Sequence, residues 1–267
     1  MARYSPIAPI AILEQLLDHQ KDKGKRVLGN YLLLLAHDVL EHNYDYARLV
    51  GEVRRNAEGK ESFIIMDNSA IENTGGALDF PTVLDAAQIV GADVIMMPDV
   101  VGNFPLTQDL ILKEFYHLRA CKYPLMKVPQ GTTLTEVFEC VQWLLTTFPP
   151  ACLDEPVYWG IPRILTNNPE IGSRAPVIEF INLLPGNHQI HLLGMSHNLA
   201  DDLWCTTKIG VMGIDSANPI VMGVAGLRVC IGDDNGWVHL SRGNLWESHT
   251  LHALSIENVE FMHEAVA

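Results

Sequence analysis

Short apolar runs alternate with amphipathic stretches along most of the chain. The runs fall at residues 31–36, 63–67, 94–99, 124–130, 157–160, 190–196 and 211–215. Between them the apolar positions recur at helical spacing, over residues 82–90, 107–120, 135–145, 177–184 and 201–209. The runs are continuously apolar more than strictly alternating, as expected of parallel strands covered on both faces. Seven such βα repeats in 267 residues favour a (β/α)8 TIM-type barrel over a doubly wound sheet. A helix over residues 10–20 precedes the series. After it, residues 227–231 and 237–240 flank Asp233-Asp234-Asn235-Gly236 as a hairpin, and a last helix starts at Ser255. The expectation is one barrel domain over residues 1–267 with an N-terminal helix and a small C-terminal hairpin and helix extension.

Composition changes this picture little. With 48% hydrophobic and 19% charged residues the chain should bury a substantial core. The longest early apolar run, Tyr31 to Ala36, is far short of the roughly 20 residues a membrane span needs. The opening segment through Leu13 is broken by Pro6 and Pro9, which makes a poor signal peptide. A cytoplasmic protein with no membrane partner is expected. Cys121, Cys140, Cys152, Cys205 and Cys230 are widely spaced without a C-x-x-C, so reduced buried thiols are expected rather than disulfides. The net charge of −14 argues against non-specific adhesion to nucleic acid, though it leaves room for a local basic strip.

The candidate chemistry lies at the strand ends: Asp67, Asp99, Gln130, Gly160, Ser196 and Asp215, most of them about one βα unit apart. In a barrel these share the C-terminal rim, where active sites of this fold lie. A lone Asp after a strand is ordinarily a turn former or helix cap. Three on one rim would repel one another unless they handle protons, cations or a polar ligand. Gln130 suits a heterocyclic base edge or a cap for the next helix; Gly160 suits a turn or a close backbone approach.

Six ordered motifs carry these residues: Met66-Asp67-Asn68-Ser69-Ala70, Met97-Pro98-Asp99, Val128-Pro129-Gln130-Gly131, Trp159-Gly160-Ile161-Pro162, His191-Leu192-Leu193-Gly194-Met195-Ser196 and Gly213-Ile214-Asp215-Ser216. Their order and spacing resemble the tRNA-guanine transglycosylase superfamily, whose fold is a (β/α)8 barrel. The resemblance implies that Asp215 is the nucleophile and Asp67 its proton-handling partner. It implies that Asp99, Gln130 and Gly160 bind the purine, with Ile161 and Ser69 contributed by the same motifs. Base exchange with retention uses one carboxylate to attack C1′ and an acid/base group to serve the purine, so two aspartates suit the chemistry.

The chain also departs from that family. Its tRNA enzymes carry a C-x-C-x-x-C and His zinc site, whereas only Cys230, His239, His249, His252 and His263 follow Asp215 here. Basic residues are missing from Ser216-Ala217-Asn218-Pro219, and Ile71 stands where an aromatic ring commonly stacks on the base. The chain is thereby most similar to the phage and bacterial DpdA-like branch, which exchanges guanine in DNA for 7-deazaguanine derivatives. The expected partners are DNA, with tRNA as the alternative, and a 7-deazaguanine base such as preQ0. No cofactor and no metal site are expected. The acidic balance leaves room for a protein partner or a homodimer.

Lys127, Arg163, Arg174, Lys208, Arg228 and Arg242 are candidate backbone contacts, although a solvated surface charge is the more ordinary reading of each. A non-catalytic accessory subunit is a rival reading, against which the presence of both Asp67 and Asp215 speaks. A metal-dependent barrel hydrolase using His37, Asp38, His191 and His197 ranks lower, because no H-x-H or H-E-x-x-H occurs. If residues 190–196 form one strand, His191 points away from Ser196, as a core or helix-facing histidine.

Overall fold

The computed structural model describes residues 2–24, 27–56, 62–70, 77–231 and 251–267. Eight parallel strands form a nearly closed (β/α)8 barrel in the order β1-β8-β7-β6-β5-β4-β3-β2. They are β1 Arg3–Pro6, β2 Tyr31–Leu35, β3 Phe63–Asp67, β4 Val94–Met96, β5 Leu125–Lys127, β6 Pro156–Pro162, β7 Asn187–Leu193 and β8 Val211–Ser216. Alternation along each strand sorts side chains into two cores. Leu32, Leu34, Ile64, Met66, Ile95, Trp159, Ile161, Ile190 and Leu192 pack outward beneath the helices. Tyr31, Leu33, Leu35, Ile65, Val94, Met96, Met126 and Val128 fill the barrel interior.

The eighth strand is β1, which the apolar pattern does not reveal. It pairs with β8, so that Ser5 sits opposite Asp215. Across the seam between β1 and β2 the Leu33 N–H donates to the buried Ser5 hydroxyl at 2.8 Å. The first helix, α1, runs over Ile10–Lys23. The helix expected over residues 107–120 is two, Phe104–Lys113 and Phe115–Ala120, meeting at Glu114. Thr133, not Gln130, caps the following helix Leu134–Thr147, accepting from Glu136 N–H.

A last helix, Ala253–Val266, packs on Asn218–Val224. There the Ser255 hydroxyl donates to the Ile220 carbonyl, and Asn258 donates to the Pro219 and Leu227 carbonyls. Residues 227–231 are not a strand, so the first arm of the expected hairpin is irregular; its turn and second arm lie outside the described residues. No helix among the described residues is long and apolar enough to cross a membrane. All five cysteines are free thiols. Burial pushes the Cys140 and Cys205 thiols up to about 12, whereas Cys152 and Cys230 are exposed, contrary to the expectation of a uniformly buried set.

Candidate active site

A cavity of about 430 Å³ opens at the C-terminal ends of the strands, within the range of small-molecule sites. Asp67, Asp99, Gln130 and Asp215 all border it, together with Asn68, Arg163, Asn167, Ser216 and Asn218. Leu35, Met96, Val101, Val128 and Leu193 supply apolar wall. The two aspartates singled out by the motifs therefore face one space. They come from β3 and β8, which only β1 and β2 separate on the short way around the barrel.

Asp215 is 4% exposed and is held through one oxygen. Its Oδ1 accepts from the Gly194 N–H at 3.0 Å and lies 2.8 Å from His191 Nε2, which leaves Oδ2 for a ligand. Gly194 makes this possible by adopting φ 67°, a left-handed conformation that L side chains rarely take. A buried ion pair fixes that turn. Arg174 Nη1 donates to the Gly194 carbonyl at 2.9 Å, and its Nη2 pairs with Asp202. The other Asp202 oxygen accepts the Ser196 N–H at 2.6 Å. Burial pushes the Asp202 carboxyl up, against the opposing pull of Arg174. Arg174 is thus a buried structural cation and not a candidate nucleic-acid contact.

Asp99 lies three residues beyond β4 and borders the cavity. Its Oδ1 accepts from Asn68 Nδ2 at 2.7 Å and its Oδ2 from Gln130 Nε2 at 2.5 Å. Asn68 is itself fixed, donating to the Met97 carbonyl at 2.8 Å and accepting from Ala70 N–H at 3.0 Å. Gln130 Oε1 accepts from Gly102 N–H at 2.8 Å, which sets its amide so that the NH2 group faces Asp99. Desolvation pushes the Asp99 carboxyl up to about 6 despite these two donors. Asp67 is half-buried, and its Oδ1 accepts the Ser69 N–H at 2.7 Å.

Three expected contact residues do not border the cavity. β6 continues to Pro162, so Gly160 lies inside the strand and not at its end. A Cβ there would lie 2.7 Å from Leu193 Cδ1 and 3.2 Å from Met126 Sδ, so the glycine makes room for barrel packing. Ile161 points outward into the helix-side core. Pro162 and Arg163 take their place at the rim; proline has no N–H, and the Arg163 N–H donates to the Leu193 carbonyl. Ser69 is fully buried with φ 58°, its hydroxyl 2.9 Å from His37 Nδ1.

His191 is a core histidine, as one of its two readings had it, but not a helix-facing one. β7 ends at Leu193, so Ser196 is not on the strand, and the β7–β8 pairing shifts register between Ile190 and His191. Its neighbours Ile190 and Leu192 pack in the helix-side core, so His191 between them faces the interior and Asp215. His37 and His197 bond to Ser69 and Asn167, so the three histidines serve separate neighbours. Among the described residues no three His, Cys, Asp or Glu side chains form a metal-ligand group. Of the remaining candidate cations, Lys127 is 6% exposed and its amine is pushed down to about 8 by burial. Lys208 and Arg228 pair with Glu179 and Glu257. Only Arg163 of the six borders the cavity among the described residues; Arg242, like Ile71, lies outside them.

No family model and no curated protein matches the chain. Among solved structures it is similar to one from Coccidioides immitis described as "a putative fructose-1,6-biphosphate aldolase". That match has 13% identity and a TM-score of 0.50, and covers 100% of this chain and 92% of the other. The likeness is one of fold, a (β/α)8 barrel. The sequence reading did not give Asn68, His191, Gly194 or the Arg174–Asp202 pair the roles the structure shows. Asn68 and Gly194 stand inside the quoted motifs, and their neighbours Asp67 and Leu193 were the available signal for them.

Proposed function

We propose that the chain is an enzyme, a base-exchanging transglycosylase that replaces guanine in DNA by a 7-deazaguanine derivative. The observation that carries this reading is that Asp67, Asp99, Gln130 and Asp215 border one cavity although they lie far apart in sequence. Asp215 Oδ2 attacks C1′ of the nucleoside and the C1′–N9 bond breaks towards the base. Asp67, in its acid form, supplies the proton to the departing base and recovers one from the incoming base. Two successive displacements at C1′ retain its configuration, as in glycosidases that use two carboxylates.

Asp99 accepts from the adjacent N–H groups of the purine. One Gln130 amide hydrogen goes to Asp99, and the other is available for the base carbonyl. Gly160 and Ile161 have no part in this scheme, because β6 carries the chain past them before the rim. Arg163, on the cavity wall, suits a backbone phosphate of the extruded nucleotide.

The test is incorporation of labelled guanine or preQ0 into DNA and, in parallel, into tRNA by the purified chain. Incorporation into DNA that Asp215→Ala abolishes is the expected result. Incorporation into tRNA alone would reassign the substrate, and retained turnover in Asp215→Ala would reject the mechanism.

A further inference from the structure

We propose that His191, oriented by Tyr31, is a positioning residue that sets the balance of Asp215 between free carboxylate and sugar ester. The proposal rests on the transglycosylase reading above and adds a component that the motif resemblance did not assign. Two buried side chains stand in succession behind Asp215, which borders the cavity. Tyr31 Oη lies 2.6 Å from His191 Nδ1, and His191 Nε2 lies 2.8 Å from Asp215 Oδ1. His191 is fully buried and Tyr31 is 1% exposed, so water does not compete for either bond.

The Tyr31 ring is fixed on several sides. Phe63 stacks on it at 5.9 Å, and the Arg3 guanidinium sits 4.3 Å from its centroid. Gly213 makes room for it, since a Cβ there would lie 2.6 Å from Tyr31 Cε1. Burial raises the phenol well above its ordinary range, so Tyr31 keeps its proton and donates it to Nδ1. The imidazole hydrogen then resides on Nε2 and points at Asp215.

The consequence is chemical. Asp215 Oδ1 accepts from both His191 and Gly194, so Oδ2 forms the bond to C1′ while the C1′–N9 electron pair leaves with the base. In the resulting ester Oδ1 is the carbonyl oxygen. Donors to Oδ1 stabilise the anionic carboxylate more than that carbonyl. They therefore favour return of the sugar to an incoming base and oppose build-up of the covalent adduct. Loss of one charge-assisted donor should shift the adduct equilibrium about 10-fold to 100-fold towards the ester.

The experiment incubates the full chain with a guanine-containing oligodeoxynucleotide without added base, and reads the adduct by denaturing gel and intact mass. Exchange of labelled guanine is measured in parallel. In His191→Phe the adduct fraction should rise about tenfold or more while exchange kcat falls, with KM for the base within about 3-fold. His191→Gln, whose amide N–H can reach Oδ1, should restore the wild-type ratio. Tyr31→Phe should shift it in the same direction by about 3-fold, and keeps the proposal testable if His191→Phe does not fold.

A residue that merely packs the barrel would lower adduct and turnover together. That result, or an unchanged adduct fraction in both His191→Phe and Tyr31→Phe with wild-type exchange intact, overturns the positioning role alone. Absence of exchange by the wild-type chain on any polynucleotide overturns the functional reading and this inference with it.

Discussion

If the cavity binds a purine as proposed, Asp99 makes a quantitative demand on that binding. Each of its oxygens already accepts one side-chain donor, so only the ionised carboxylate keeps a good free acceptor site on both oxygens for the adjacent N–H groups of a purine. Desolvation raises its pKa from 3.8 to about 6, with Asn68 and Gln130 opposing. At pH 5 about one such carboxyl in eleven is ionised, and at pH 7 about ten in eleven, so affinity for free guanine or preQ0 should rise about tenfold between them. Above about pH 7 it should level off, because these bases keep their N–H groups there.

Stability moves the opposite way. Between about pH 4 and pH 6 the folded chain retains a proton that the unfolded chain has lost. Stability therefore falls as pH rises through that window, by about 3 kcal/mol in all, and the loss persists above it. Calorimetric titration of the base at pH 5, 6, 7 and 8, with thermal melts at each pH, measures both trends. Asp99→Asn, which cannot ionise, should bind weakly without pH dependence. Affinity that is flat across the range, or that strengthens towards acid, would refute the assignment of Asp99 as an ionised acceptor.

Two further perturbations probe the scaffold. Asp202→Ala leaves the fully buried Arg174 charge without its partner and frees the Ser196 N–H, so stability should drop by about 3–5 kcal/mol. A melting-temperature decrease on the order of 10 °C is expected, less in Asp202→Ala combined with Arg174→Met; a change under about 1 kcal/mol would show that the pair does not hold the turn. Lys127→Met removes an amine that burial lowers from 10.5 to about 8. The folded chain resists protonating this group, so the wild-type penalty is complete below about pH 8 and vanishes as pH rises past about 10.5. The variant should gain about 1–3 kcal/mol at pH 7 in urea unfolding and little at pH 10; equal stabilities at pH 7 would contradict this.

How much of this was legible in the sequence depended on whether strand parity could be counted. Seven strands stood out because their sheet positions are apolar on both faces, and (β/α)8 followed from their number. Asp67 and Asp215 were placed well because each ends or nearly ends a strand whose preceding residues alternate regularly. Arg3–Pro6 escaped notice because four residues with one polar and one charged side chain make no apolar run. What makes them a strand is pairing with β8, more than 200 residues away, a contact that local pattern cannot carry.

The errors on β6 and β7 have a common origin in miscounted ends. A strand that ends two residues later than expected moves Gly160 off the rim and brings Pro162 and Arg163 to it. A strand that ends three residues earlier than expected, followed by the Gly194 turn, removes the parity argument that set His191 opposite Ser196. These displacements favour the aspartates over the backbone of β6 as the determinants of specificity. The rim at β6 presents a proline without an N–H and an Arg163 N–H already bonded to Leu193, so this strand has no free amide for a base carbonyl. In the proposed scheme that role passes to Gln130, whose orientation depends on Gly102 and whose partner is Asp99. Base recognition and the protonation of Asp99 are then one coupled property, and a substitution at either residue should alter both the affinity and its dependence on pH.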